Sequence, residues 1–134
     1  MNHNILQKHI QQIKKAKRSV HNRTINEIVQ RLYKSGGYDV IKTNMEYRLP
    51  HNTNPIGEVD AYAIKRGKQN YLLFFEVKSN NSIANKRYAI EQLNRHETIL
   101  GDNADRVFKF YVTPNKIEWI HRSHPTKSYH YLRP

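Results

Sequence analysis

The pattern of hydrophobic and polar residues predicts two helices at the start of the chain. Apolar residues recur at near-helical spacing from about residue 4 to residue 20, and lysines and arginines fill the other faces. A second apolar face follows over residues 24–35. It begins with a capping-box pattern at Thr24 and Glu27, and Gly36 and Gly37 end it. We therefore expect a basic amphipathic helix over about 4–20 and a separate helix after it.

The rest of the chain reads as strands around one further helix. Residues 38–44, 58–64 and 71–78 are rich in β-branched and aromatic residues, and the polar segment 65–70 joins the last two as a hairpin. A helical stripe then runs from about Ser82 to Leu100 and stops at Gly101, before strand-like runs at 107–112 and 117–120. The order α-α-β-β-β-α-β-β is typical of an α/β fold with a mixed central β-sheet flanked by helices.

The length of 134 residues predicts one domain, residues 1–134, with a single sizeable core. The tail over residues 121–134 mixes His, Arg, Lys and Tyr without periodicity, so we expect a flexible arm there. Tyr129 and Tyr131 in this arm could stack on bases or pack against the sheet.

The charge of the chain points to a polyanionic partner. Lysines and arginines number 23 against 11 acidic residues, a formal net charge of +12. Such an excess attracts the phosphate backbone of nucleic acid, and an anionic membrane surface is the weaker rival. The first helix carries the candidate DNA contacts, Lys14, Lys15, Lys17 and Arg18, although a solvated face is the usual explanation for such a run.

Several classes of protein are excluded or disfavoured by what the sequence lacks. There is no cysteine, which removes disulfides, thiolate catalysis and Cys-type zinc sites. There is no apolar run of the ~18 residues that a spanning helix needs, and no secretory signal. We therefore expect an intracellular, cytoplasmic protein with no membrane partner.

Four charged residues are predicted to meet on the central hairpin. If the hairpin is centred on Lys68, antiparallel pairing places Asp60 across from Glu76 and Glu58 across from Lys78. Side chains two residues apart on a strand share a face. All four charges could then occupy one patch.

Buried charges in such a strand need a partner or a metal ion. Glu76 and Lys78 follow a run of four apolar residues, where an unpaired charge is costly. One interpretation is a cross-strand salt bridge. The interpretation that we favour is a divalent-metal site, in which Asp60, Glu76 and the Val77 carbonyl offer the hard oxygen ligands that suit Mg²⁺, with Mn²⁺ as a substitute. Lys78 would orient a water or offset negative charge in the transition state.

These residues also carry a resemblance to a known superfamily. Asp60, followed after fifteen residues by Glu76-Val77-Lys78-Ser79, resembles the signature of PD-(D/E)XK nucleases. The flanking Gly57-Glu58-Val59 and Phe75 resemble the small archaeal Holliday junction resolvases, and the similarity covers about residues 24–100. It implies a restriction-endonuclease-like core and a Mg²⁺-dependent deoxyribonuclease (DNA endonuclease) acting in DNA recombination and repair. A junction resolvase cuts paired strands with two active sites, so this version also implies a homodimer.

Two helical residues are further candidates through the same resemblance. Glu27 approximately matches a glutamate that these nucleases carry on the helix before the hairpin, and the capping box is its structural alternative. The segment from Gln92 to His96 resembles the Q-h-x-x-Y element of RecB-like nucleases, with His96 in place of the tyrosine. Gln92 would help to place the attacking water or the phosphate, or it is an ordinary surface glutamine.

Two other functions remain open from the sequence. One is a RecB-like nuclease that acts on DNA ends or single strands. The other is a non-catalytic basic DNA-binding module that retains a degenerate nuclease core, which would not bind Mg²⁺ at Asp60 and Glu76.

Overall fold

A five-stranded sheet lies between two helices, so the predicted α/β class with a mixed central sheet is confirmed. The computed structural model describes residues 3–48, 50–51 and 53–121. In chain order the elements are α1 (His3–Ser35), β1 (Val40–Tyr47), β2 (Gly57–Lys65), β3 (Tyr71–Val77), α2 (Ile83–Leu100), β4 (Arg106–Thr113) and β5 (Lys116–Ile120). The predicted C-terminal arm, with Tyr129 and Tyr131, lies outside the described residues apart from the exposed His121.

The prediction of two separate N-terminal helices is wrong, because α1 is one helix of 33 residues. Thr24 is not a cap: its hydroxyl donates to the Val20 carbonyl at 2.9 Å, one turn earlier in the same helix. No Gly or Pro occurs between residues 20 and 24, so nothing breaks the backbone where the apolar face changes. The described side chains of residues 7–19 are all exposed, and the helix meets the sheet only beyond them.

The sheet has the strand order β1-β2-β3-β4-β5. Only the β3–β4 pair is parallel, and α2 makes the crossover that a parallel pair requires. In the β2–β3 hairpin Ala61 pairs with Phe75 and Lys65 with Tyr71, which confirms the register predicted from a turn centred on Lys68. The next residues along these strands are Asp60 and Glu76.

Each face of the sheet is covered by one helix. The α1-side cluster contains Ile25, Ile28 and Leu32 of α1 against β2, β3 and β4. The α2-side cluster contains Ala89 and Leu93 of α2 against aromatic residues of the sheet. Ser82 caps the start of α2 by accepting the Asn85 N–H, a role for which serine is favoured.

A buried lysine fixes the position of α2 on the sheet. Lys109 of β4 is 3% exposed, and its ammonium donates to Asn94 Oδ1 and Glu97 Oε1 of α2, both at 2.9 Å. A buried ammonium without these acceptors would destabilise the fold by about 3–5 kcal/mol. The contacts therefore hold α2 in one rotation about its axis, and in that rotation Gln92 and His96 face the end of β3.

Within the described ranges, no helix combines the length and the apolar character needed to cross a bilayer.

Candidate active site

Asp60 and Glu76 lie side by side where β2 and β3 separate. The Val77 N–H donates to Asp60 Oδ2 at 2.8 Å, which ties the Asp60 carboxylate to the neighbouring strand. Asp60 is 9% exposed and Glu76 is 1% exposed. The two carboxyl groups predicted to meet across the hairpin are thus brought together at the edge of the buried core.

The backbone around Asp60 departs from regular strand alternation. Ala61 belongs to the α1-side cluster, whereas Val59, two residues earlier, belongs to the α2-side cluster. Opposite this point, Asn44 of β1 lies between paired residues with a left-handed φ of 54°, a conformation that asparagine tolerates. This local change of face turns the Asp60 carboxylate toward the Val77 N–H and toward α1.

The environment disfavours a charge on Glu76. Burial raises the pKa of Glu76 well above its ordinary value of 4.5, and the neighbouring Asp60 charge raises it further, while the Lys78 ammonium acts in the opposite direction. Two bare carboxylates are therefore unfavourable here. The pair favours sharing a proton or a cation.

Glu76 is held from the other side by a chain of hydrogen bonds. Its Oε1 lies 2.6 Å from His96 Nε2, and His96 Nδ1 lies 2.7 Å from the Tyr47 hydroxyl. Burial lowers the pKa of His96 to about 4, so the ring is neutral near pH 7. When the Glu76 carboxylate accepts the Nε2 proton, Nδ1 accepts from the Tyr47 hydroxyl, and this arrangement fixes the direction of the carboxylate.

Gly57 makes room for this chain. Gly57 pairs with Tyr47 in the β1–β2 ladder, and a Cβ at residue 57 would collide with the Tyr47 ring. Any larger residue would displace Tyr47 from His96. This is a physical reason for the glycine in the Gly57-Glu58-Val59-Asp60 segment.

Lys78 reaches the site from the residue after β3. Its ammonium donates to Gln92 Oε1 at 3.1 Å and lies 4.7 Å from the centroid of the Tyr88 ring. Lys78 is not among the ion pairs of the described residues. Glu58, which the register places across from it, is exposed and pairs with Glu46 of β1. Lys78 thus forms no direct ion pair within the described residues, although its charge still acts on Glu76.

His21 is a site residue that the sequence did not reveal. Its Nε2 lies 3.5 Å from Asp60 Oδ2, and this hydrogen bond raises the pKa of His21 above its ordinary value. His21 lies one turn before Ile25 on the face of α1 that packs on the sheet. The four-residue spacing from His21 to Ile25 could have indicated this position. The two predicted helices, however, leave residues 21–23 as a linker between them.

Glu27, by contrast, is not brought to the two carboxylates. It is exposed and lines a groove between α1 and the β4–β5 turn, together with Arg31, Thr113 and Lys116. Its predicted structural role as a capping-box carboxylate is also wrong, because Thr24 lies inside α1.

The oxygen atoms available at this site fit Mg²⁺ better than a metal ion that needs three or more protein side chains as ligands. No group of three or more His, Asp or Glu side chains within the described ranges is arranged to hold a metal ion. Mg²⁺ commonly binds one or two carboxylates and keeps several waters, so Asp60 and Glu76 suffice, with the Val77 carbonyl as the predicted further oxygen. The raised pKa of Glu76 agrees with a position where positive charge is needed.

Comparisons with known proteins add little to this geometry. No family model matches. No curated protein matches either. The crystal structure of SSO0001 is similar over 69% of this chain and 46% of its own, with 17% identity and a TM-score of 0.39. This chain thus matches less than half of that protein, and so low a score leaves fold and function to be argued from the residues themselves.

Proposed function

We propose that this protein is a metal-dependent nuclease that hydrolyses phosphodiester bonds in DNA. The observation that carries the proposal is the pair of buried carboxyl groups, Asp60 and Glu76, on adjacent strands with the Lys78 ammonium beside them. These are the same residues that resemble the PD-(D/E)XK signature. A net charge of +12 supplies the attraction for a nucleic acid substrate.

Asp60, Glu76 and the Val77 carbonyl would hold the metal ion. Mg²⁺, or Mn²⁺ in its place, supplies positive charge that polarises a phosphodiester group and activates a water. Lys78 offsets the negative charge that develops on the phosphoryl oxygens in the transition state. Gln92 positions the Lys78 ammonium through its 3.1 Å contact.

The remaining contacts orient the two carboxylates. His96 and the Tyr47 hydroxyl behind it fix Glu76. His21 and the Val77 N–H fix Asp60. Oriented in advance, the two groups lose little freedom when a cation binds.

The exposed half of α1 provides the phosphate contacts in this proposal. Lys14, Lys15, Lys17 and Arg18 are all exposed, and a groove beside them includes Asn22 and Arg23. Because α1 is continuous, Lys14 and His21 are separated by about 10 Å of helix axis. A DNA backbone bound along the lysines is thereby led toward Asp60.

A second candidate within this class is a RecB-like nuclease that acts on ends or single strands. Both ends of the Q-h-x-x-Y-like element contact the residues of the nuclease-like signature. Gln92 accepts a hydrogen bond from Lys78, and His96 is hydrogen-bonded to Glu76. The junction-resolvase version requires a homodimer, whereas a nuclease for single strands can act as a monomer.

The test of the proposed function is cleavage of labelled four-way junction, linear duplex and single-stranded DNA, with Mg²⁺ and with a chelator. We expect cleavage only when Mg²⁺ or Mn²⁺ is present. Paired cuts at the junction identify a resolvase, and cuts confined to ends or single strands identify the RecB-like activity. No cleavage of any substrate by protein that binds DNA would refute the proposal.

Mg²⁺ binding should strengthen as pH rises, because the cation displaces the proton held by Glu76. The raised pKa of Glu76 means that the folded protein holds this proton more tightly than the unfolded chain, so metal-free stability falls as pH rises through that pKa. Bound Mg²⁺ would offset this loss of stability, because it replaces the positive charge of the proton. His21, whose pKa is also raised, likewise loses its proton as pH rises. His96, with a pKa of about 4, is already neutral over this range and does not contribute. We expect the Mg²⁺-induced rise in Tm to grow as pH rises above the ordinary glutamate value of 4.5.

The control for this measurement is Glu76→Gln, which keeps the size of the side chain and removes the ionisable group. Its Mg²⁺ response should be weak at every pH. A wild-type Tm that Mg²⁺ leaves unchanged across the whole range would instead favour the basic DNA-binding module with a degenerate core.

A further inference from the structure

A row of aromatic rings crosses β3, β4 and β5 on the face that α1 occupies. The Tyr71 and Phe108 ring centroids are 5.9 Å apart, those of Phe108 and Trp119 are 6.1 Å apart, and those of Trp119 and His121 are 3.9 Å apart. We call Tyr71, Phe108, Trp119 and His121 the aromatic row. Trp119 is 47% exposed, and Ile117 beside it is 43% exposed.

The α1 helix reaches only the inner half of the row: Tyr71 and Phe108 are partly buried against the α1-side cluster, whereas Trp119 and His121 lie beyond it and are exposed. The α1-side cluster draws its buried residues from β2, β3 and β4, and no residue of β5 is among them. The other face of β5 is occupied, because Ile120 packs against the α2-side cluster. Trp119 and Ile117 therefore form an exposed apolar patch on the α1-side face of β5, and such patches often mark binding sites.

Positive charge borders the row at both ends. The Arg106 guanidinium lies over the Phe108 ring, 5.4 Å from its centroid. Beyond Ile117, the groove between α1 and the β4–β5 turn is lined by Arg31, Lys116 and Glu27, and Lys116 also lies 3.6 Å from Glu118. Exposed rings between cations suit a ligand that offers flat rings on an anionic chain.

We propose that the aromatic row stacks the unpaired bases of single-stranded DNA. Stacking on exposed rings, combined with phosphate contacts to a basic surface, is the general mode of binding single strands, and paired bases are not available for it. A second copy of this chain is a poorer occupant of the row itself, because a basic surface would meet Arg106 and Arg31 there, whereas a DNA strand brings phosphates. The inference rests on DNA as the partner in the proposed function and narrows the substrate to DNA that contains unpaired bases.

On the α1 side of the sheet Trp119 of the row lies two strands from Phe75, the residue before Glu76, and the Glu76 side chain contacts His96 of α2 on the other side. Phe75, which precedes Glu76, pairs with Phe110 of β4, and Phe110 pairs with Trp119 of β5. Two strand spacings separate Trp119 from Phe75, about 10 Å. At about 3.4 Å per nucleotide in a stacked strand, this corresponds to some three nucleotides.

Trp119 is the only tryptophan of the chain, so its fluorescence reports on the row directly. The experiment titrates the full-length protein, in chelator, with oligothymidine, with duplex DNA and with dextran sulfate, a polyanion without bases. We expect saturable quenching by oligothymidine and none by dextran sulfate. Trp119→Leu should lower the affinity for labelled oligothymidine about 5- to 150-fold and leave duplex affinity and Tm unchanged. Trp119→Phe, which keeps a ring, should retain most of the affinity.

The matched control separates stacking from charge. Replacing Lys14, Lys15 and Lys17 with Gln should weaken binding and flatten its salt dependence, while saturating oligothymidine still quenches Trp119 fully. The proposal is overturned if oligothymidine binds without quenching, or if Trp119→Leu binds it as the wild type does. It is equally overturned if Trp119 in the free protein is shielded from iodide, which would mean that the chain's own tail or a second copy covers the row.

Because the titration contains no metal, its result is independent of cleavage. If the protein stacks oligothymidine but cuts no DNA, the binding role of the aromatic row is supported and the proposed nuclease activity is refuted. If the protein cuts DNA but oligothymidine does not quench Trp119, the nuclease activity is supported and the binding role of the aromatic row is refuted.

Discussion

We expect Glu76→Gln and Asp60→Asn each to reduce the proposed DNA cleavage at least about a thousandfold, the loss of some 4 kcal/mol of transition-state stabilisation. Each substitution removes one ligand charge and almost no volume. The amide oxygen of the introduced glutamine can still accept from His96 Nε2, and that of the introduced asparagine can still accept the Val77 N–H. Single-turnover cleavage at saturating Mg²⁺ measures the loss.

Stability should move the other way in these variants. The raised pKa of Glu76 reflects burial and the charge of Asp60, so a neutral side chain at either position relieves the metal-free protein of repulsion. We expect an unchanged or higher Tm in chelator. Glu46→Gln, which removes an exposed carboxylate from β1, is the matched control and should cleave normally. Glu27→Gln, run beside it, decides whether that residue contributes to cleavage. Normal turnover by Glu76→Gln would disprove the assigned site.

We expect Lys78→Met to lower kcat of the proposed nuclease by about two orders of magnitude or more at saturating Mg²⁺, with little change in Tm or in DNA affinity. The reason is that Lys78 contacts Gln92 and the Tyr88 ring rather than a carboxylate, so its charge remains available to a substrate phosphate. One preorganised electrostatic contact contributes about 10²–10³ in rate. Steady-state kinetics on the preferred substrate, together with thermal melts with and without Mg²⁺, measures both properties.

A different result would identify Lys78 as a neutralising group. In that case the metal-free Tm of Lys78→Met falls by several degrees, Mg²⁺ restores it, and most of kcat survives. Lys42→Met, at an exposed position on β1, controls for the loss of one positive charge from a protein of +12.

The sheet and α2 could be predicted from the sequence because their signals are local. Apolar runs bounded by turn residues indicated the five strands, and the short polar loop around Lys68 fixed the register that brings Asp60 to Glu76. The continuity of α1 could not be predicted in the same way. Its apolar face shifts near residue 20, and a helix that leaves the protein surface shows such a shift without any break in the backbone.

The residues around the carboxylates depend on packing that no local pattern contains. Tyr47 reaches His96 only because Gly57 lies under its ring, and His21 reaches Asp60 only because α1 crosses β2 at that height. His96 was noted in the sequence only as a replacement for tyrosine. The contact of His96 with Glu76 depends on how α2 is rotated about its axis, and Lys109 fixes that rotation through Asn94.

If DNA is the partner, as we propose, the continuity of α1 sets the length of its footprint. A helix of 33 residues is about 50 Å long, and the exposed part before residue 20 accounts for about 25 Å of it. That distance corresponds to about seven base pairs of duplex. In this proposal one continuous helix joins the distal lysines to His21, so the distance from the outermost phosphate contact to the cleaved bond would be constant. DNA fragments much shorter than this span would then lose the far contacts first.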